Sequence, residues 1–230
     1  MINMIIITKK TATSSDRIKK VLSLFDPIIN GKILDIGCGD GYLSVLICEK
    51  TQANLYGCDI SENGLRAAKK RGIIVKKVDI SSGALPYPDN YFDAIFCGEF
   101  IEHIFDTDNF AEEMKRIIKK DGYIILTTPN LASWFNRILM ILGYQPYGYE
   151  ISTIKLFGGL CLYDSNVKPS GHIRVFALSA IKECFKFHGY VIEKNIGNDI
   201  SYGNSIINLL NKTFSLRWTT GSRNNFKIKN

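Results

Sequence analysis

The fold of this chain is decided by the stretch Lys32-Ile-Leu-Asp-Ile-Gly-Cys-Gly-Asp-Gly-Tyr-Leu43. Its first half is a short apolar run with one carboxylate, Asp35, which predicts a buried strand. Glycines then lie at alternate positions, Gly37, Gly39 and Gly41, and helical spacing of apolar residues resumes directly after them. The stretch therefore predicts a strand, a glycine loop and a helix in succession.

A glycine loop of this kind suits the binding of a ligand against the backbone. Glycine adopts the positive φ angles of a tight strand-to-helix turn, and its missing side chain leaves room for a ligand. The free amides at the start of the helix then face that ligand, with the positive end of the helix dipole behind them. A ligand that carries a carboxylate or a diphosphate fits such a turn.

The spacing of the glycines separates two nucleotide-binding families. The dinucleotide fingerprint is G-x-G-x-x-G with an acid about 20 residues further on, whereas here the third glycine comes one residue early and Tyr42 takes its place. The spacing G-x-G-x-G preceded by Asp35 resembles motif I, D-x-G-x-G-x-G, of the class I S-adenosylmethionine (SAM) dependent methyltransferases. Cys38 and Asp40 stand at variable positions of that motif and do not contradict it.

Length and composition favour one α/β domain. The chain has 230 residues, of which 46% are hydrophobic and 22% charged, so we expect residues 1–230 to form a single domain. No apolar run approaches the roughly 20 residues that span a bilayer. The opening segment lacks the charge order of a signal peptide, so we expect a cytoplasmic protein.

The charge distribution bears on a nucleic-acid partner, and the cysteine spacing bears on disulfides and metal sites. The net charge of +7 comes from lysines spread along the chain, without the arginine-rich runs and interleaved aromatics of a nucleic-acid surface. The six cysteines form no C-x-x-C pair and have no histidine at ligand spacing. We therefore predict no nucleic-acid partner, no disulfide and no metal, and we interpret the cysteines as small core residues.

The segment before the glycine loop predicts a helix. Residues 14–16, Ser-Ser-Asp, are suited to cap a helix that runs to Phe25 and stops before Pro27. Such a leading helix either lies over the ligand mouth or serves only to pack the domain, and the sequence leaves both open.

An aspartate lies at or near the end of each of the next two predicted strands. Asn54–Asp59 reads as a strand whose last residue lies 18 positions after Gly41, where an acid can accept both hydroxyls of a ribose. The alternative role, a helix N-cap, can be filled by Ser61. Residues 73–80 read as a third strand that contains Asp79.

The region after Asp79 strengthens the resemblance. The loop L-P-x-P-D at 85–89 and the F-D-x-I that opens the next strand at Phe92 resemble the motif II region of small-molecule SAM methyltransferases. By that resemblance Asp79 accepts a hydrogen bond from the adenine amino group and Ile80 offers its backbone amide.

Polar groups follow the fourth predicted strand, residues 94–98. That strand is continuously apolar, as expected of a strand buried on both faces, and Glu99, Glu102 and His103 lie at its carboxyl end, where open α/β sheets bind ligands. We predict His103 as a general base with Glu99 or Glu102 orienting it, and a purely structural histidine is an equal alternative.

Residues 106–120 read as an amphipathic helix, and residues 123–130 read as the fifth strand. The phrase R-x-x-K-x-D-G-Y that joins them also resembles the methyltransferase family. Strands alternating with helices to this point imply right-handed crossovers and a parallel sheet.

Residues 131–170 break this alternation. They begin with an apolar helical pattern that contains Trp134, and they continue with glycines and aromatics over a length too great for an ordinary connection. Three interpretations compete: a substrate lid, a homodimer surface, and an amphipathic contact with lipid. Lipid is the least favoured because Arg137 is the only basic residue on the apolar helix.

The remaining segments complete the expected sheet. The phrase G-H-I-R-x-F at 171–176 is typical of the resembled family, and its His172 and Arg174 either face the substrate or only fix the loop. A helix at 178–187 and a strand at 190–196 follow. A short helix at 205–212, a hairpin loop at 219–224 and a last strand at 225–229, antiparallel between the fifth and sixth, end the chain.

The resemblance implies a fold class and a cofactor. The fold is α/β, a Rossmann-like seven-stranded, mostly parallel sheet with helices on both faces and a lid-like insertion after strand 5. SAM is bound and S-adenosyl-L-homocysteine is the product. By the resemblance, Asp35 orients either the glycine loop or, through water, the amino group of SAM. The other residues implied in holding the cofactor are Gly37, Cys38, Gly39 and Gly41 under the methionine part, Asp59 on the ribose, Ile60 under the adenine, Asp79 and Ile80, and the backbone of Cys97 and Gly98.

The function implied is methyl transfer to a small-molecule acceptor, quinone-like or linked to a glycan or lipid, at oxygen. The substrate-facing candidates are Trp134, His172 and Arg174. A non-catalytic partner protein of the same fold is one alternative. A nicotinamide-dependent oxidoreductase is another, and it requires a glycine at position 42 and a catalytic Tyr/Lys pair, neither of which is found.

Overall fold

The structure is a computed structural model that describes residues 12–80, 83–159, 168–198 and 223–229. The helices are α1 (Ala12–Leu22), α2 (Tyr42–Thr51), α3 (Glu62–Lys70), α4 (Thr107–Ile117), α5 (Trp134–Ile141) and α6 (Leu178–Phe187). The strands are β1 (Lys32–Ile36), β2 (Asn54–Asp59), β3 (Ile74–Lys77), β4 (Phe92–Gly98), β5 (Ile118–Pro129), β6 (Val191–Asn198) and β7 (Arg223–Lys229).

The strands form one seven-stranded sheet in the order β3-β2-β1-β4-β5-β7-β6. The pairs from β3 to β5 are parallel, and β7 is antiparallel to both β5 and β6. The predicted mostly parallel sheet and the antiparallel last strand are confirmed. Strand order reverses between β1 and β4, so the crevice at their carboxyl ends is the place where such sheets bind ligands.

Helices cover both faces of the sheet because successive strand residues point to opposite sides. In β1, Leu34 belongs to the core under α4 and α6, whereas Ile33 belongs to the core under α1, α2 and α3. Both residues are fully buried. The continuous apolar strands predicted from sequence are therefore buried on both faces, as in other doubly covered sheets.

Several element boundaries differ from the sequence prediction, and three of them concern α1, α4 and β3. Helix α1 begins at Ala12, before the expected cap at 14–16, and ends at Leu22. Helix α4 ends at Ile117 rather than at residue 120, because Ile118 already pairs with Phe92 across a bulge of the sheet. Strand β3 ends at Lys77, so Asp79 follows the strand instead of closing it.

Other predictions fall outside the described residues: Cys161, the helix at 205–212 and most of the hairpin loop at 219–224. Within the described ranges, none of the helices has the length and apolar character needed to cross a bilayer.

One histidine joins α4 to the end of α6. The His188 Nδ1 lies 2.7 Å from Glu112 Oε1, and its Nε2 lies 2.8 Å from Asp108 Oδ1. Only 6% of the His188 side chain is exposed. Because each ring nitrogen faces a carboxylate, Glu112 first and then Asp108 raise the pKa of His188 above its usual value.

The stability that this ion triad contributes should depend on pH. A raised pKa in the folded protein means that the contribution is fully present below the unfolded pKa of about 6.5 and is lost as pH rises through the higher folded pKa. The difference in unfolding free energy between wild type and His188→Gln, measured in urea from pH 6 to 9, should therefore shrink as pH rises. A difference that stays constant over this range would contradict the triad.

Candidate active site

The glycine loop forms a tight turn at the carboxyl end of β1. The φ angles are 74° at Gly37, 53° at Gly39 and 75° at Gly41, all in the left-handed region. The Gly37 amide donates to the Cys58 carbonyl at 2.8 Å, which holds the loop over the end of β2. Gly39 lies at the tip of the turn, and α2 begins directly after Gly41.

Two of these glycines are required for different reasons. A Cβ on Gly41 would lie 2.2 Å from Ile73 Cδ1 and 3.0 Å from Ala68 Cβ, inside the core. A Cβ on Gly39 would meet nothing within 4 Å. Gly41 therefore permits the close packing of the start of α2 on Ile73 and Ala68, whereas Gly39 leaves open space for a ligand at the tip of the loop.

Alanine at these two positions should separate folding from binding. Gly39→Ala should lower the unfolding free energy by only about 1–2 kcal/mol, the cost of a left-handed backbone, but should weaken binding of S-adenosylhomocysteine. Gly41→Ala adds overpacking of about 1–3 kcal/mol and should be the less stable variant. Thermal unfolding and calorimetric titration check both. Equal stability of the two variants would count against this division of roles.

Asp59 closes β2 directly beside the loop tip. Its Oδ2 accepts from the Gly39 amide at 2.8 Å and its Oδ1 accepts from the Ser61 amide at 2.8 Å. The N-cap of α3 is Ser61, whose hydroxyl accepts from the Gly64 amide at 3.2 Å. The half-buried Asp59 carboxylate is thus held at the ligand edge and is not used as a helix cap.

Asp35 lies beneath the loop, on the core side. It is 3% exposed, and its Oδ2 accepts a hydrogen bond from the hydroxyl of Ser44 in α2. Burial raises the pKa of Asp35 to about 7. The contact with α2 supports the predicted role of Asp35 in orienting the loop.

The other predicted cofactor residues gather at the same edge. Cys97 pairs with Ile36 across β4 and β1, and Gly98 follows it. Ile60 is 62% exposed next to Asp59, and the Val78 amide donates to the Asp59 carbonyl at 3.0 Å, which brings the segment of Asp79 and Ile80 alongside. The carboxyl ends of β1, β2, β3 and β4 thus bring together the whole predicted set.

The buried cysteines serve as core residues. Cys38, Cys58 and Cys97 are buried, and burial raises the pKa of the Cys58 thiol to about 12. Burial also raises the pKa of the Cys38 and Cys97 thiols, so all three stay protonated near neutral pH.

A cavity of about 340 Å³ opens next to the cofactor edge. Its floor includes Glu99, His103 and Pro129, at the ends of β4 and β5. Most of its wall comes from the insertion after β5, including residues 145–150, Lys168 and Ser170. The fold thus places a cavity beside the residues that the resemblance assigns to the cofactor.

Two histidines line this cavity, and in each of them Nδ1 is hydrogen-bonded to a backbone carbonyl. His103 Nδ1 lies 3.0 Å from the Gly171 carbonyl oxygen, and His172 Nδ1 lies 2.7 Å from the Gly148 carbonyl oxygen. A carbonyl oxygen only accepts, so each Nδ1 carries the hydrogen and each neutral ring keeps its lone pair on Nε2. Burial lowers the pKa of His103, which favours that neutral form.

The two predicted carboxylates occupy different environments. Glu102 is fully buried, and its Oε2 accepts from the Thr128 hydroxyl at 3.0 Å. Glu99 lines the cavity in a left-handed backbone conformation, φ 53°, and its Oε1 accepts from the Thr127 hydroxyl at 2.9 Å. The Nδ1 of His103 is held by a backbone carbonyl 68 residues further along the chain, not by either carboxylate as predicted.

The predicted substrate residues are only partly brought together. His172 lines the cavity, but Trp134 and Arg174 do not. Trp134 packs against Phe135, with ring centroids 5.9 Å apart. Arg174 donates to the Thr107 hydroxyl at 3.4 Å and lies over the Phe105 ring, so it fixes the return segment against α4.

Sequence reasoning missed three charged residues of the cavity, Arg17, Glu150 and Lys168. Arg17 belongs to α1, so this helix reaches the mouth of the cavity. That position supports a leading helix over the ligand mouth rather than one that only packs the domain. Glu150 and Lys168 belong to the irregular insertion, where no helix or strand periodicity indicates which residues face the cavity.

Two groups of described side chains have potential metal ligands within 4.8 Å of one another. In the first, Asp108, Cys184 and His188, both ring nitrogens of the histidine already bond to carboxylates, as a protonated imidazole does. The second is Glu102, His103 and His172. Its two histidines line the cavity, where their Nε2 lone pairs are suited to accept protons or hydrogen bonds from a substrate.

Comparisons with known proteins find methyltransferases. A family profile described as a methyltransferase domain matches residues 34–126. The chain is 33% identical over 137 residues to the ubiquinone biosynthesis O-methyltransferase of Pelagibacter ubique, covering 56% of this chain and 57% of that protein. It is 33% identical over 164 residues to the demethylmenaquinone methyltransferase of Bacteroides fragilis, covering 60% and 66%.

These two relatives are therefore matched over 57% and 66% of their own length. Among solved structures, a SAM-dependent methyltransferase from Thermotoga maritima superimposes with a TM-score of 0.65 at 18% identity, covering 94% of this chain and 89% of that one. Together with the glycine loop and the sheet order, these matches support a class I SAM-dependent methyltransferase.

Proposed function

We propose that this protein transfers the methyl group of SAM to an oxygen of a small, quinone-like acceptor held in the cavity. The observation that carries the proposal is the continuity of one segment: Cys97 and Gly98 lie at the cofactor edge, and Glu99 and His103, directly after them, line the cavity. A single stretch of chain therefore joins the cofactor site to the acceptor site.

The residues present fit the cofactor. The space above Gly39 is open, and the Asp59 carboxylate beside it has further lone pairs for the ribose hydroxyls. SAM supplies an already activated methyl group, so the protein mainly has to hold the acceptor oxygen in line, about 3–3.5 Å away. Such positioning contributes on the order of 7–11 kcal/mol in favourable systems.

An oxygen nucleophile must also lose its proton. We assign this task to His103, whose Nε2 lone pair lies on a cavity-lining ring held through Nδ1. A positioned base of this kind contributes about 10²–10⁴-fold. His172 lines the same cavity with its Nδ1 held by the Gly148 carbonyl, and its ring can form a hydrogen bond with the acceptor.

The acceptor class is inferred from the cavity wall. Tyr147, Tyr149, Leu156 and Phe157 give it an aromatic and apolar lining that suits a ring with oxygen substituents. The matched relatives named for ubiquinone and menaquinone biosynthesis support the same class, with glycan-linked or lipid-linked acceptors as the alternative.

The insertion is best interpreted as a substrate lid, because its residues form the cavity wall. Its outer side exposes apolar residues such as Ile141 at 83% and Ile154 at 86%. A homodimer surface there stays a prediction, as do the single domain and the cytoplasmic location.

Calorimetric titration with S-adenosylhomocysteine, with NADH as the control ligand, tests the cofactor assignment. Binding of the former alone supports a methyltransferase, and binding of NADH alone would overturn the proposal. Transfer of radiolabelled methyl from SAM to simple hydroquinones and catechols then tests the acceptor class. We expect the rate to survive treatment with EDTA, since no step proposed here uses a metal.

A further inference from the structure

We propose that Glu150 is a positioning residue for His103 and acts through the backbone between Gly171 and His172. The inference rests on the proposed function, because it assigns to the insertion the task of orienting the base of methyl transfer. Glu150 itself need not touch the acceptor.

The contacts form a continuous chain. The Glu150 Oε2 accepts from the Gly171 amide at 2.7 Å and lies 3.4 Å from the His172 amide nitrogen. The peptide group that carries the His172 amide also carries the Gly171 carbonyl, and this carbonyl accepts from His103 Nδ1 at 3.0 Å. A carboxylate thus stands at one end of a peptide group and the imidazole stands at the other.

The carboxylate also determines the shape of the loop. Its Oε1 accepts from the Ser170 amide at 2.8 Å, so one side chain satisfies successive amides across 20 to 22 residues of chain. Gly171 has a left-handed φ of 81°, and this conformation turns its carbonyl toward His103 while its amide faces Glu150. Without the carboxylate, the segment 170–172 loses the group that fixes this turn.

The arrangement has a consequence for the imidazole. Hydrogen bonds in a chain polarise one another, so the negative charge on the amide side makes the Gly171 carbonyl a stronger acceptor. A stronger acceptor at Nδ1 keeps the hydrogen there and leaves the lone pair on Nε2 of a ring that lines the cavity. Glu150 also raises the pKa of His103, against the lowering by burial.

The test compares Glu150→Ala and Glu150→Gln with Glu183→Gln, a change of an exposed glutamate on α6. Glu150→Ala should lower kcat by about 10-fold or more, with the affinity for S-adenosylhomocysteine unchanged, and should shift the acidic limb of the pH-rate profile to lower pH. Glu150→Gln keeps a carbonyl oxygen as acceptor and should recover part of the rate. The Glu183 variant should behave as wild type.

A spectroscopic readout makes the result independent of any acceptor. In wild type, ¹⁵N NMR of histidine-labelled protein above pH 7 should show His103 with its hydrogen on Nδ1, and Glu150→Ala should shift it toward a mixture of tautomers. An unchanged tautomer together with an unchanged pH-rate profile would overturn the positioning role. Failure of the wild type to bind S-adenosylhomocysteine would instead refute the proposed function. The NMR comparison would still decide whether Glu150 fixes the tautomer of His103.

Discussion

Replacing Asp59 by alanine should weaken the binding of S-adenosylhomocysteine by about 100-fold or more. The Asp59 carboxylate accepts from the Gly39 amide at 2.8 Å and is proposed to accept from the ribose hydroxyls. Hydrogen bonds to a charged group contribute about 1.5–3 kcal/mol each, and about 1.4 kcal/mol corresponds to tenfold in affinity. Two lost ribose contacts therefore account for the expected factor.

Calorimetric titration measures this change directly. Asp40→Ala is the matched control, since Asp40 is an exposed acid of the same loop whose carboxylate pairs with Arg71 at 3.2 Å. Asp59→Asn keeps one acceptor oxygen, replaces the other with an NH2 group that only donates, and loses the charge, so its affinity should fall between those of Asp59→Ala and Asp40→Ala. If Asp59→Ala bound as tightly as wild type while remaining folded, the ribose assignment would be wrong.

Replacing His103 by glutamine should lower turnover by about 10²–10⁴-fold, the usual contribution of a positioned base. The affinity for S-adenosylhomocysteine should hardly change, because His103 lines the acceptor cavity rather than the glycine loop. Burial lowers the pKa of His103, so the wild-type rate should rise with pH through a value below 6.5. That limb should vanish in the variant.

The control for this experiment is His172→Gln, in the same cavity. The two rings are close, with centroids 5.0 Å apart, but only His103 is assigned the proton transfer. His172→Gln should therefore raise KM more than it lowers kcat. Equal losses of kcat in both variants, or a parallel loss of cofactor affinity in His103→Gln, would argue against a base at position 103.

Much of the fold could be predicted because its signals are local. The alternation of apolar runs with amphipathic helices predicted the parallel sheet, and the left-handed conformations at Gly37, Gly39 and Gly41 favour glycine independently of the rest of the chain. The carboxyl ends of parallel strands meet at one edge. Asp59 and Cys97 could therefore be placed together without knowledge of the packing.

The ends of helices and strands were harder to predict where strand pairing in the folded protein competes with the local helix propensity. Helix α4 was expected to continue to residue 120, but Ile118 joins the sheet opposite Phe92 and ends the helix early. Register across a sheet depends on the partner strand, which no local window of sequence contains.

The acceptor side of the site was decided by the tertiary structure. The sequence identified His103 and the insertion, but it assigned the orientation of the histidine to the nearby Glu99 or Glu102 and placed Trp134 and Arg174 at the substrate. In the folded chain His103 Nδ1 is hydrogen-bonded to the Gly171 carbonyl, and Glu150 holds the Gly171 backbone. No sequence periodicity or motif spacing links Gly171 or Glu150 to position 103.

The sequence by itself thus determined the sheet, the glycine loop and the cofactor acids, because each follows from backbone conformation or from strand polarity. Only the tertiary structure decided which side chains meet across the cavity, because irregular segments are positioned by contacts between residues distant in the chain. The pairing of Glu150 with the backbone at 170–172 is such a contact, and it places the insertion in the active site.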